Sequence, residues 1–156
     1  MKRVIAIVTL IVMVFSLAAC SSKAEQKNVE GTLSEIFNKI YDNAEAEKPM
    51  MLSETEVTDA NTAYYLGSAD VKFVEGLASE PMVGSIPHSM VLIRVDSGTN
   101  IENTKKLIRE SVDPRKWICA GVQPDEVIVD SIGDLIFLVM SVDAEAYHQS
   151  FLKLAQ

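Results

Sequence analysis

Residues 135–140 read Leu-Ile-Phe-Leu-Val-Met, with no polar residue at either odd or even positions. A half-exposed strand alternates apolar with polar, so a strand of this composition has to be central in a sheet or covered on both sides. Residues 127–130 form a second short strand, and Ser131, Ile132, Gly133 and Asp134 join the two as a hairpin. The clearest other strand is 89–95, rich in branched apolar residues. Upstream, Val71, Phe73, Glu75 and Leu77 alternate with Lys72, Val74, Gly76 and Ala78, which fits a strand with a glycine defect. Pro81, Gly84 and Pro87 mark the turn that follows.

Helical spacing accounts for most of the rest. Thr32 and Glu35 have the form of a capping box. Behind them Leu33, Ile36, Phe37, Ile40, Tyr41 and Ala44 define an amphipathic helix of about four turns that ends before Lys48 and Pro49. Met50, Met51 and Leu52 read as core contacts after that turn. Residues 54–59 are expected to cap a short helix through Leu66, with Gly67 leaving it. Thr99 and Glu102 form a second capping box for a helix carrying Ile101, Thr104, Leu107, Ile108 and Val112. Asp113 and Pro114 stop it, and Trp117 and Ile118 are expected to return to the core. Asp143 caps a last helix with Tyr147, Phe151, Leu154 and Ala155 on one face. After the opening helices the order is strand, strand, helix, strand, strand, helix. That order predicts the α+β class: a four-stranded antiparallel sheet with helices packed on one face, preceded by an N-terminal helix.

The amino terminus carries a different signal. Lys2 and Arg3 precede an uncharged stretch from Val4 to Leu17, too short to span a bilayer and followed at once by polar sequence, as in a secretory leader. Leu17, Ala18, Ala19 and Cys20 then resemble the lipobox of bacterial lipoproteins. That resemblance implies cleavage after Ala19 and a diacylglycerol thioether on Cys20, which would hold the chain at the outer face of the cell membrane. An ordinary secretory leader also ends in small residues, so a freely secreted product is the alternative. The expected organisation is a signal peptide over 1–19, a lipidated Cys20 and flexible tether over 20–31, and one globular domain over 32–156. An eleven-residue polar coil from 21 to 31 has a root-mean-square span of roughly 18 Å.

Cutting after Ala19 removes Lys2 and Arg3 and leaves 137 residues with a net charge of −10. Such a domain is repelled by phosphate backbones and anionic lipid surfaces, which disfavours nucleic-acid binding. With Cys20 alkylated, Cys119 has no intramolecular partner. Its apolar neighbours read as a buried structural thiol, with a reactive thiol or an intermolecular disulfide as alternatives.

Signals for chemistry are sparse. The chain has two histidines, His88 beside a Pro-Gly turn and His148 on the last helix, both expected at the surface. No nucleophile-elbow, zinc-helix or phosphate-loop pattern occurs, and no residue is assigned a catalytic, cofactor or metal role. Asp125, Glu126, Asp130 and Asp134 surround the hairpin, but their spacing does not match a calcium loop, and a solvated acidic edge is expected. Arg115, Lys116 and Trp117 read either as a grip for an anionic or sugar ligand or as two cations solvating a bend beside a core tryptophan.

The pattern as a whole resembles a family of uncharacterised lipoproteins from clostridial, low-GC Gram-positive bacteria. It does so through the opening helix with Ile36 and Ile40, the Tyr65, Leu66, Gly67 step, the 90–95 strand, the lysine-bearing helix from Ile101 and the 133–141 strand. The resemblance implies a lipidated, extracytoplasmic α+β domain and carries no activity. The leading expectation is a non-enzymatic binding or interaction module of the cell envelope, with an envelope protein among the partners left open; an exposed apolar patch would favour that partner. Alternatives are an envelope enzyme or enzyme accessory that uses carboxylates, and a small-ligand receptor subunit of a transporter.

Overall fold

In the computed structural model, which describes residues 27–156, helix α1 (Leu33–Asn43) starts at the capping box. Thr32 Oγ1 accepts the Glu35 amide at 3.2 Å, and Glu35 Oε2 accepts the Thr32 amide at 2.8 Å. One face of α1 is buried, through Leu33, Ile36, Phe37, Ile40 and Tyr41. The chain then forms strand β1 (Leu52–Glu56), short helix α2 (Thr62–Leu66), strands β2 (Glu75–Pro81) and β3 (His88–Arg94), and helix α3 (Ile101–Ser111). The hairpin of β4 (Val127–Ile132) and β5 (Leu135–Ser141) and helix α4 (Ala144–Leu152) follow.

The sheet has five strands in the order β1-β2-β3-β5-β4, and every neighbouring pair is antiparallel. Strand β5 is inserted between β3 and β4. Those two are therefore parallel to each other, and α3 lies in the crossover between them.

Pleating sends alternate side chains to opposite faces, and both faces are buried. Met90 and Leu92 of β3 and Leu135, Phe137 and Val139 of β5 pack against α1 and α4, where Ile36, Phe37, Tyr147 and Phe151 complete one half of the core. Val91, Ile93, Ile136, Leu138 and Met140 point the other way, onto Leu66 of α2, Ile108 of α3, Trp117 and Val122.

The α+β class and the antiparallel sheet agree with the sequence. Two finer expectations are corrected. The sheet has five strands rather than four, because residues 52–56 form β1 where the sequence predicts the start of a helix cap. Its Ser53, Glu54, Thr55 and Glu56 are all exposed. A polar edge strand has no apolar alternation to reveal it, and its charges discourage pairing with another chain. The helices cover both faces rather than one, because two central strands whose side chains are buried on both sides of the pleat need cover on both.

Boundaries shift for local reasons. Strand β2 starts at Glu75, later than expected, because residues 71–74 form a loop whose Val71 and Phe73 pack on the sheet without joining it. Gly76 is where that loop comes close: an added Cβ would meet the Phe73 ring at 3.2 Å and Val57 at 2.9 Å. The side chain that caps α3 is Asn100, one residue after the expected Thr99, and it accepts the Asn103 amide at 3.0 Å. The stretch expected to run free through Gly31 is engaged from Asn28 onward. Asn28 Oδ1 accepts the Asp134 amide, Val29 is buried, and the Gly31 carbonyl accepts from Arg94 at 2.8 Å.

Helix α2 ends at Gly67, whose φ is +78° and whose Cα lies against the Ser111–Val112 peptide at the end of α3. Gly67→Ala should lower stability by more than about 2 kcal/mol, since it adds both a left-handed side chain and a backbone clash. Urea unfolding checks this, and an unchanged midpoint would mean the two helix ends do not touch.

Candidate functional site

Buried polar side chains collect at one end of the sheet. Six polar residues are buried among those described, and Ser79, His88, Ser89 and Ser141 all stand where β2 ends, β3 begins and β5 ends. His88 opens β3 with the same parity as Met90 and Leu92, so its ring faces α1. The surface position expected for it is therefore corrected: its exposure is 1%.

Tyr41 OH lies 2.9 Å from His88 Nε2 and 3.0 Å from Ser79 Oγ, and His88 Nδ1 lies 3.1 Å from Ser141 Oγ. Tyr147 stands edge-on to both rings, at 5.3 Å from His88 and 5.5 Å from Tyr41. Burial pulls the His88 pKa down to about 4 and pushes both tyrosines up, Tyr147 to about 12. A neutral imidazole carries one N–H, so the network runs in one of two senses. In one, Nε2 donates to Tyr41 and Tyr41 donates to Ser79. In the other, Ser79 donates to Tyr41, Tyr41 donates to Nε2, and Nδ1 donates to Ser141. Above the Ser79 end, a cleft of about 470 Å³ opens between α1 and β1.

Residues 80 and 89 face the other side of the same sheet end. Lys116 Nζ pairs with Glu80 Oε1 at 2.6 Å, approaches Ser89 Oγ at 3.2 Å and sits over the Tyr64 ring at 4.5 Å, with Tyr65 and Trp117 alongside. Tyr64 OH donates to Glu80 Oε2 at 3.3 Å. Burial pushes the Tyr64 phenol up to about 12, with the Glu80 charge adding to it. Burial lowers the Lys116 pKa, and Glu80 opposes that shift. Lys116 is thus committed to an internal pair and neither solvates the bend nor reaches for a ligand. Arg115 lies apart, with Trp117, Cys119 and Gln123, around a separate hollow of about 440 Å³. Trp117 is 8% exposed, and its indole Nε1 is buried without a hydrogen-bond partner.

Beyond these clusters the molecule ends in apolar side chains. Met50, Met51, Met82, Val83, Ile118 and Val142 are exposed, and the hydrogen bonds from Met82 N to Met51 O and from Ile118 N to Gly84 O join three of the segments that carry them. Among the exposed large apolar residues described, Val74 lies at the opposite end of the sheet. The expected core positions of Met50, Met51 and Ile118 are corrected accordingly, and so is the buried thiol, because Cys119 is exposed. Met51 and Cys119 are also the non-glycine residues described with left-handed backbone, at φ 56° and 59°. Each costs about 1–2 kcal/mol in an L-residue. In a turn the backbone, not a repeating apolar spacing, decides which side chain is displayed, which is why the sequence does not show this tip.

The other residues singled out resolve as structural. Asp130 pairs with His148 at 2.8 Å and Lys105 at 3.4 Å, which draws His148 partly into the surface, and Asp134 pairs with Arg94 at 3.2 Å. Glu126 accepts the Gln123 amide at 2.6 Å in a short turn that includes Asp125. No group of three or more His, Cys, Asp or Glu suited to a metal ion occurs among the described residues. Leu17, Ala18, Ala19 and Cys20 lie outside the described residues. Compared with protein-family models, curated proteins and solved structures, the chain matches none.

The buried imidazole sets a pH dependence. An unfolded histidine binds a proton near pH 6.5 and the folded His88 only near pH 4, so the unfolded state holds more protons between the two. Stability is then full above pH 6.5 and falls toward pH 4 by roughly 3 kcal/mol. Urea unfolding across this window should show that slope, and His88→Gln should flatten it. A slope equally steep in the variant would assign the effect to other groups. Lys116→Met should cost about 3–5 kcal/mol by leaving the Glu80 carboxylate buried and unpaired, and adding Glu80→Leu should recover most of it. Equal losses in the single and double variants would contradict the pairing.

Proposed function

We propose that this chain is a lipoprotein held at the outer face of the cell membrane by a diacylglycerol on Cys20, and that its domain is a non-enzymatic interaction module whose apolar tip docks an envelope protein. The reading of the anchor rests on the charged start, the apolar run and the Leu17, Ala18, Ala19, Cys20 motif. Resemblance to the clostridial lipoprotein family agrees with that anchor. Two acyl chains contribute on the order of 20 kcal/mol of membrane affinity, so lipidation would be effectively permanent.

The observation that carries the docking role is where the apolar side chains lie relative to the root of the tether. Asn28 and Gly31 bind at Asp134 and Arg94, the far end of β3 and β5 from the tip. Strand β5, seven residues long, spans about 20 Å between those ends. Residues 20–27 reach at most about 27 Å fully extended. They would have to stretch along the whole domain to bring the tip to the bilayer, so a polypeptide is the occupant of choice. Six exposed apolar residues gathered at one end of an acidic domain are the kind of surface that a protein partner covers. Three of them are methionines, whose flexible thioethers adapt to a partner.

A carboxylate enzyme is the second reading, and one hollow favours it. It measures about 240 Å³ at the tether end and is lined by Asp96 and Asp134. It is the weaker reading because Asp134 is already bound to Arg94.

A photo-crosslinking residue at position 118 or 82, introduced in living cells, should capture one discrete envelope protein. Met51→Asp should abolish that product, a probe at position 74 should not form it, and Cys20→Ser should release the chain from the membrane fraction. Adducts only to lipid, a crosslink only to a second copy, or the same product from position 74 would each overturn the reading.

A further inference from the structure

We infer that the cleft between α1 and β1 binds a small zwitterionic ligand, a free amino acid or a short peptide, with its carboxylate on Lys48 and its ammonium on Glu54. At about 470 Å³ the cleft falls within the size range of small-molecule sites. Its walls combine apolar surface from Pro49, Met51 and Leu52 with two opposite charges. Lys48 Nζ sits 4.9 Å from the centre of the Tyr41 ring and makes no ion pair within the described residues. Glu54 makes neither a hydrogen bond nor an ion pair there, although the β1–β2 register sets it directly opposite Ser79 and its charge acts on Tyr41. Two opposite charges line one cleft and leave each other unpaired, and a molecule bearing both signs offers each of them a partner. A zwitterion has no net charge, so the strongly acidic domain does not repel it as it repels polyanions.

The floor gives this site a reporter. Ser79 lines the cleft, is 1% exposed, and ends the hydrogen-bonded chain through Tyr41 and His88 to Ser141. When a ligand oxygen accepts the Ser79 proton, Ser79 must accept from Tyr41, Tyr41 must accept from His88, and the imidazole is held as the Nε2–H tautomer. Occupancy of the cleft is thereby written into a ring that the ligand never touches. The site lies on the α1 face of the sheet and shares Met51 with the tip, but its recognition by Lys48 and Glu54 does not require the docking role.

The test titrates the ¹⁵N-histidine-labelled full chain, in detergent micelles, with L-alanyl-L-leucine. N-acetyl-alanyl-leucine, which lacks the ammonium, and alanyl-leucine methyl ester, which lacks the carboxylate, serve as controls. At up to about 10 mM the dipeptide should move the His88 ring nitrogens to the Nε2–H pattern, and each single-charge analogue should bind at least tenfold more weakly. Glu54→Gln and Lys48→Gln should each weaken binding at least tenfold while leaving the urea midpoint in place. Ser79→Ala should uncouple the tautomer from binding measured by calorimetry. No response to the dipeptide, an equal response to either analogue, or binding that survives both charge substitutions would overturn the inference.

Discussion

Strands β3 and β5 bury both of their faces, and the placement of the helices follows from that. Ten apolar side chains, Met90 to Ile93 and Leu135 to Met140, are essentially removed from water. Burying such side chains is the dominant favourable contribution to folding. No single layer of helices can collect that contribution, because half of these side chains point each way. Helices α1 and α4 therefore close one side, while α2, α3 and the segment carrying Trp117 and Val122 close the other.

The same pleat sorts the polar residues. Ser79 and Glu80 are neighbours on β2, and His88 and Ser89 are neighbours on β3, yet each pair divides between the two faces. One set becomes the Tyr41, His88, Ser141 network and the other encloses Lys116 with Glu80. Buried polar groups are costly without partners, and at this end the histidine, serines and ion pair supply one another, while the Trp117 indole N–H goes without. The result is a polar plug behind an apolar tip. The opposite end of the sheet is held by Arg94, which joins Glu75, Asp134 and the backbone of Gly31. The segment around Asn28 and Gly31 and the apolar tip are thus separated by the full length of the central strands.

Parts of this arrangement are legible residue by residue. Thr32 with Glu35 announces the start of α1, Gly67 the end of α2, and the unbroken apolar run at 135–140 a strand that must be covered. The parity of His88 with Met90 and Leu92 was a usable sign that its ring is internal, masked by the Pro-Gly turn just before it. Strand β1 was not legible, since five mostly polar residues become a strand only because β2 is there to pair with them. Ile118 was misread for the complementary reason: its neighbour Trp117 takes the core position, and a turn displays the next residue whatever its hydrophobicity. The cleft at Lys48 and Glu54 is assembled from α1, β1 and β2, so no window of sequence contains it.

Local signals are enough for the α+β class, the caps of α1, the end of α2 and the two central strands, because they act between residues within a turn or along one extended run. Tertiary structure alone decided that helices lie on both faces, that an edge strand completes the sheet, that Lys116 finds Glu80 and that Tyr41 finds His88. Each of those outcomes depends on which distant segments bury one another, and burial between distant segments is a property of the assembled core.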